Sequence, residues 1–141
     1  MQNRSMTKNA YADDDDIAVV QAIYAAMAAS DLSTLFDLLD PTIVIVQDDR
    51  LPWGGRHDGH DGFAKFGLAL RANIASSVTT DAMFSADRTV IQMGHTRGTV
   101  VATGVPFNIA EVHRWTVHNG RAVAAHFSID TPAMLRALAA G

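Results

Sequence analysis

Residues 111–130 read EVHRWTVHNGRAVAAHFSID. Asn119-Gly120 falls between two alternating runs, the strongest short hairpin signal, because both central residues of the favoured turn need positive φ. If the loop holds only those two residues, His118 pairs with Arg121 and the register follows by counting outward. Val117 then faces Ala122, Trp115 faces Ala124, His113 faces His126, and Glu111 faces Ser128. Alternation gathers Glu111, His113, Trp115, Val117, Ala122, Ala124, His126, Ser128 and Asp130 on one surface of the sheet. Val112, Arg114, Thr116, Val123, Ala125, Phe127 and Ile129 occupy the other. A slip of one residue would turn a strand over.

The first surface carries a carboxylate, opposed histidines, a tryptophan, a serine and an aspartate, whereas the second is mostly apolar. Two readings stand. A solvated face explains the polar residues cheaply. A polar-lined pocket also explains why small Ala122 and Ala124 flank Trp115, since small residues beside a large aromatic leave room.

Upstream, apolar residues recur at helical spacing from Ile17 through Val20, Ile23, Tyr24 and Met27. A short helix, LSTLFDLL, stops before Pro41. TIVIVQ is β-branched and bounded by Pro41 and Asp48-Asp49, which predicts a strand. Helical spacing returns from Asp61 to about Ala75, with Phe63, Phe66, Leu70 and Ile74 on one face. Strands are predicted near 77–86, 89–96, 99–103, 109–117 and 122–130. Thr131-Pro132 opens a last helix. Helices first and strands later is an α+β plan with a mostly antiparallel sheet.

The chain has 141 residues, enough for one domain with a real core. Residues 1–12 read as a disordered tail and 13–141 as a single domain, with Asp13–Asp16 capping the first helix. Fifteen acidic residues face eleven basic ones, and that acidic run accounts for the difference. No basic patch points to nucleic acid. Without cysteine there is no disulfide, thiol nucleophile or thiolate metal site. No apolar run reaches membrane length and no signal peptide is visible, so a cytoplasmic protein is expected.

The order helix, short helix, strand, LPWGG (51–55), GHDGF (59–63), helix, long strands, EVHRWTVHNGRAV (111–123) and SIDTPAML (128–135) resembles the SnoaL-like, ketosteroid isomerase-related branch of the NTF2-like superfamily. The resemblance spans about Asp15 to Leu138. It implies a cone in which a curved sheet wraps about three helices around a deep pocket. It also implies a homodimer packed sheet against sheet, with the Glu111–His113–His126 surface facing the pocket. Bacterial ketosteroid isomerase and polyketide cyclases share that superfamily. By resemblance, Tyr24 matches the isomerase tyrosine on the first helix, and Asp49, or Asp48, its general base. His113 stands nearest the protonated aspartate of its oxyanion hole, and Asp130 is similar to the cyclase aspartate.

The residues allow these roles and plainer ones. Asp49 could remove a proton alpha to a carbonyl once desolvation raises its pKa, or simply end a strand. His113 and His126 could form a coupled acid–base pair tuned by Glu111 or Asp130, hold a metal, or be structural. Tyr24, Trp53 and Trp115 suit either pocket walls or core. In HDGHDG (57–62) the spacing matches no HExxH, calcium or phosphate-loop pattern. That stretch reads as a structural turn, with Asp61 capping the next helix.

The expectation is a cofactor-free, metal-free enzyme of isomerase, cyclase or dehydratase type acting on a hydrophobic carbonyl compound. Asp49, His113, Tyr24 and Asp130 would do the chemistry, and Trp53, Glu111, Trp115, His126 and Ser128 would line the pocket. The alternative is a non-catalytic ligand-binding or dimerisation module. An epoxide hydrolase is third, because that branch uses an aspartate–arginine–aspartate trio and Arg114 faces away.

Overall fold

The computed structural model describes the backbone of residues 2–140 and the side chains of residues 15–140. Its elements are α1 (Gln2–Ala28), α2 (Leu32–Leu38), β1 (Leu39–Gln47), β2 (Gly55–Asp58), α3 (Gly59–Asn73), β3 (Ile74–Ala86), β4 (Thr89–Val100), β5 (Pro106–His118), β6 (Arg121–Ile129) and α4 (Thr131–Ala139). The strands form one six-stranded sheet in the order β2-β1-β6-β5-β4-β3. Only β1 and β6 run parallel; every other neighbouring pair is antiparallel. The α+β plan read from the sequence is the one observed.

α1 buries the stripe predicted for it, with Val20, Ile23 and Ala26 in the core and Tyr24 and Met27 packed against it. The helix starts earlier than expected, at Gln2, so residues 2–12 have helical backbone and the acidic run lies within α1. No glycine or proline interrupts residues 2–28, so no local breaker separates that stretch from the helix. The side chains of Asp13 and Asp14 lie outside the described residues. α3 turns Phe63 and Phe66 inward and ends before buried Ile74. Asp58, not Asp61, holds its N-cap position, without a side-chain cap bond.

Two predicted strands, 89–96 and 99–103, are a single strand, β4. Gly94 and Gly98 let it run close to β3: a Cβ at Gly94 would lie 1.9 Å from the Thr79 carbonyl oxygen. Register shifts interrupt the β1–β6, β3–β4 and β5–β6 ladders. Each such irregularity bends and twists the sheet locally, which curves it around the helices.

The hairpin turn is as read, with Asn119 at φ +51° and Gly120 at φ +76°. His118 pairs with Arg121 and Val117 with Ala122. Beyond that a bulge leaves Val123 without an opposite residue, and Thr116 pairs with Ala124. From there the expected register is off by one. His113 faces Phe127, Arg114 faces His126, and Glu111 faces Ile129. The bulge turns β6 over, so Phe127 points inward and His126 and Ser128 point outward.

Candidate functional site

β5 supplies the site by simple pleating. Ile109, Glu111, His113, Trp115 and Val117 are all buried on the concave surface, while Ala110, Val112, Arg114 and His118 are exposed. Three consecutive inward positions of the strand are thus a carboxyl, an imidazole and an indole. β4 adds Gln92, fully buried directly opposite His113, and Gly94 opposite Glu111. α1 brings Tyr24 down onto this row.

The contacts are short. The Tyr24 Oη lies 2.6 Å from His113 Nδ1, and the Trp115 indole N–H donates to Tyr24 Oη at 3.0 Å. Glu111 Oε2 is 3.2 Å from the same His113 nitrogen, but neither carboxyl oxygen completes a hydrogen bond. Gln92 donates through Nε2 to Thr80 Oγ1 at 3.1 Å, and its Oε1 is buried without a partner. Phe127 closes the cluster, its ring 4.7 Å from His113 and 5.2 Å from Trp115. Its inward position is a direct result of the β6 bulge.

Burial sets the charges here, since removing water disfavours the ionised form. It pushes the Glu111 carboxyl up to about 7, with the Gln92 amide holding it back slightly. It drives His113 down to about 3, leaving a neutral imidazole. It raises the Tyr24 phenol above its ordinary value, against the Trp115 hydrogen bond. Glu111 is therefore the member of this cluster that exchanges a proton near neutral pH.

The other expected site residues lie elsewhere. His126 is on the outer surface, its Nδ1 3.4 Å from Arg114 Nη2, so the His113–His126 pair does not exist. Ser128 is exposed on that same surface. Asp49 occupies an exposed turn after β1. Asp48 is held down to about 2 by hydrogen bonds from Arg50, whose guanidinium lies 2.7 Å away. Asp130 is the N-cap of α4, accepting from the Ala133 amide. Trp53 is buried in the core, 2% exposed. Gln92 went unread, although β4 alternates Val90, Gln92, Gly94 and Thr96 inward; a lone amide on that face is the signal.

In HDGHDG both imidazoles are spent on backbone. His57 Nε2 lies 3.1 Å from the Trp53 and Gly54 carbonyls, and His60 Nε2 lies 2.8 Å from the Leu39 carbonyl. The stretch was expected to be a turn; it is instead the end of β2 running directly into the first turn of α3. Among the described residues no group of three or more His, Asp or Glu is placed to hold a metal ion. None of their helices is long and apolar enough to cross a membrane.

The interior is packed with Trp53, Phe63, Phe66, Trp115 and Phe127, where a deep pocket was expected. Open cavities lie at the sheet instead. One of about 280 Å³ is bordered by Gln47, Asp48, Phe127 and Thr131. Another of about 450 Å³ lies over Met93, Gly94, Glu111 and Val112.

Comparison with solved structures gives the same architecture. An NTF2-like protein of unknown function from Burkholderia pseudomallei is 26% identical, with a TM-score of 0.83 over 89% of this chain and 98% of that one. TerC, co-crystallised with polyporic acid, is 20% identical with a TM-score of 0.83 over 89% and 99%. A candidate polyketide cyclase from Pseudomonas putida is 15% identical with a TM-score of 0.75 over 86% and 96%. No protein of curated function matches the sequence. The SnoaL-like domain model matches residues 20–125, and the chain belongs to that family.

Proposed function

We propose that this protein is a small-molecule enzyme of the isomerase, cyclase or dehydratase type, moving protons alpha to a carbonyl with its own side chains. The single observation behind this is Glu111, a buried carboxyl that makes no well-formed hydrogen bond and is held only weakly, by the Gln92 amide, beside a neutral histidine. Buried polar groups are almost always satisfied, and an exception in a cluster of shifted pKa values marks reactive sites. Glu111, with a pKa of about 7, suits either direction of proton transfer. His113, uncharged and held at Nδ1 by the Tyr24 hydroxyl, serves through its other ring nitrogen as the hydrogen-bond donor to a developing enolate oxygen. The likeness to a candidate polyketide cyclase supports this class, and the TerC structure with polyporic acid supports an organic ligand. An epoxide hydrolase is disfavoured because Arg114 lies on the outer surface beside His126.

The test is solvent deuterium exchange at the alpha carbons of a panel of cyclic ketones and β-keto esters, followed by proton NMR. Exchange by the wild type that is lost in a folded Glu111→Gln supports the enzyme. The open cavity of about 450 Å³ over Met93, Gly94 and Val112 favours a second reading, a ligand-binding module. That reading predicts binding without exchange, unchanged in Glu111→Gln.

The protein acts as a homodimer through the outer surface of the sheet. There Met93 and Val112 sit directly opposite each other, 44% and 42% exposed, with Phe84 at 51% nearby. Val112→Asp should dissociate the dimer in sedimentation velocity; a wild-type monomer would refute the assembly.

A further inference from the structure

The indole N–H of Trp115 can only donate, and it donates to Tyr24 Oη at 3.0 Å. The remaining close polar neighbour of that oxygen is His113 Nδ1, at 2.6 Å. With its acceptor side taken by the indole, the tyrosine has one proton to place and one nitrogen to give it to. We infer that Trp115 is a positioning residue that orients the whole chain, so that Tyr24 donates to His113 Nδ1 and His113 carries its own proton on Nε2.

The opposite tautomer fits these contacts less well. A proton on Nδ1 would have to share the Tyr24 oxygen with the indole N–H or turn to Glu111 Oε2 at 3.2 Å, and the Tyr24 hydroxyl would then need another acceptor. Nδ1 has one lone pair, and the 2.6 Å contact claims it. Glu111 Oε2, 3.2 Å from that lone pair, then faces an acceptor, so an ionised carboxylate would be repelled there and the carboxylic acid is the compatible form. Burial pushes Glu111 the same way. The groups around this chain are Tyr24 from α1, Gln92 from β4, Phe127 from β6, and Glu111 on β5 itself.

The sequence offers Trp115 as a wall for substrate, but its side chain is 0% exposed. Its consequence for chemistry is indirect. The donor that His113 presents to a ligand is Nε2–H, and that choice is made two side chains away. This deepens the proposed reaction and rests on this cluster being its site, but its test reads protonation and not turnover.

The experiment is two-bond proton–nitrogen NMR on uniformly ¹⁵N-labelled full-length protein, at a pH below the Glu111 midpoint of about 7. In the wild type, His113 should show the pattern of a single Nε2–H tautomer with a hydrogen-bonded Nδ1. Trp115→Phe, which keeps an aromatic ring but cannot donate, should release that preference into a mixture or into Nδ1–H. Tyr24→Phe removes a single oxygen, so it serves even if Trp115→Phe fails to fold. There the His113 Nδ1 signal should move to a free, unbonded position and the Trp115 indole proton should shift. An Nδ1–H tautomer in the wild type overturns the inference. So does a His113 pattern identical in wild type and Tyr24→Phe. Loss of deuterium exchange with the tautomer pattern intact would count against the reaction and leave the chain of donors standing.

Discussion

Replacing Glu111 with glutamine keeps the shape of the side chain and removes its titration, which makes the effect of burial measurable. In the folded protein the carboxyl is raised from its ordinary 4.5 to about 7. The folded state therefore holds a proton that the unfolded chain releases, and folding stability from this group is full below about 4.5 and lost as pH rises through about 7. At about 1.4 kcal/mol per pH unit, the loss is about 3 kcal/mol. The Glu111 side chain is 0% exposed, so solvent screening takes little from that figure. His113 acts in the other direction. Its value is lowered from 6.5 to about 3 by burial, so its stability is present above 6.5 and lost as pH falls toward 3. The two slopes oppose each other between 4.5 and 6.5, and the wild-type curve alone would look flat there. Subtracting Glu111→Gln removes the histidine contribution. Urea unfolding of both proteins at intervals across this range should show wild type losing about 3 kcal/mol relative to the variant from low to high pH. Parallel curves would refute the buried, proton-holding Glu111.

Gly94→Ala should destabilise by about 2 kcal/mol or more in the same assay, because its Cβ would lie 1.9 Å from the Thr79 carbonyl oxygen and 2.8 Å from Gln92 Nε2. Asp31→Ala should cost about 1 kcal/mol, since Asp31 caps α2 through Thr34 N at 3.2 Å and Thr34 Oγ1 at 2.7 Å; a thermal melt reads it directly. By NMR the His113 imidazole should stay neutral as pH is lowered toward about 3, held there by burial. Its protonation near 6.5 would mean that water reaches it.

How legible this was in the sequence depended on whether each residue reported its own face. Helical spacing located Val20, Ile23 and Phe66 in the core because the large apolar residues recur at three- and four-residue intervals among smaller ones. β5 was sorted correctly by counting outward from the Asn119-Gly120 turn, since its own pairing with β4 has no break; polarity alone would have misled, with Glu111 buried and Val112 exposed. β6 begins RAVAA, and small apolar residues sit equally well inside or outside, so nothing in their pattern reveals the bulge after Ala122. That bulge moved His126 out and Phe127 in, and with them the expected histidine pair. β2 was hidden because Gly55–Asp58 has no apolar alternation and exists by pairing with β1. Asp49 was drawn by resemblance and by its place after a strand, but strand ends are also where the chain meets solvent.

The bulge also changes what the cluster is for. Had His126 stood opposite His113, two imidazoles could have shared the proton traffic, and Glu111 would have been an orienting partner. With Phe127 in that place the ring adds burial and no proton, and Glu111 becomes the group that titrates. An acid in this position is a liability to a protein that only folds and binds, since above pH 7 it lowers stability and a glutamine would not. Glu111→Gln should therefore be more stable than wild type above pH 7 while losing alpha-proton exchange. A Glu111 whose ionised carboxylate is held by hydrogen bonds in the fold predicts the reverse, a variant less stable above pH 7, and the same urea series at high pH separates the two.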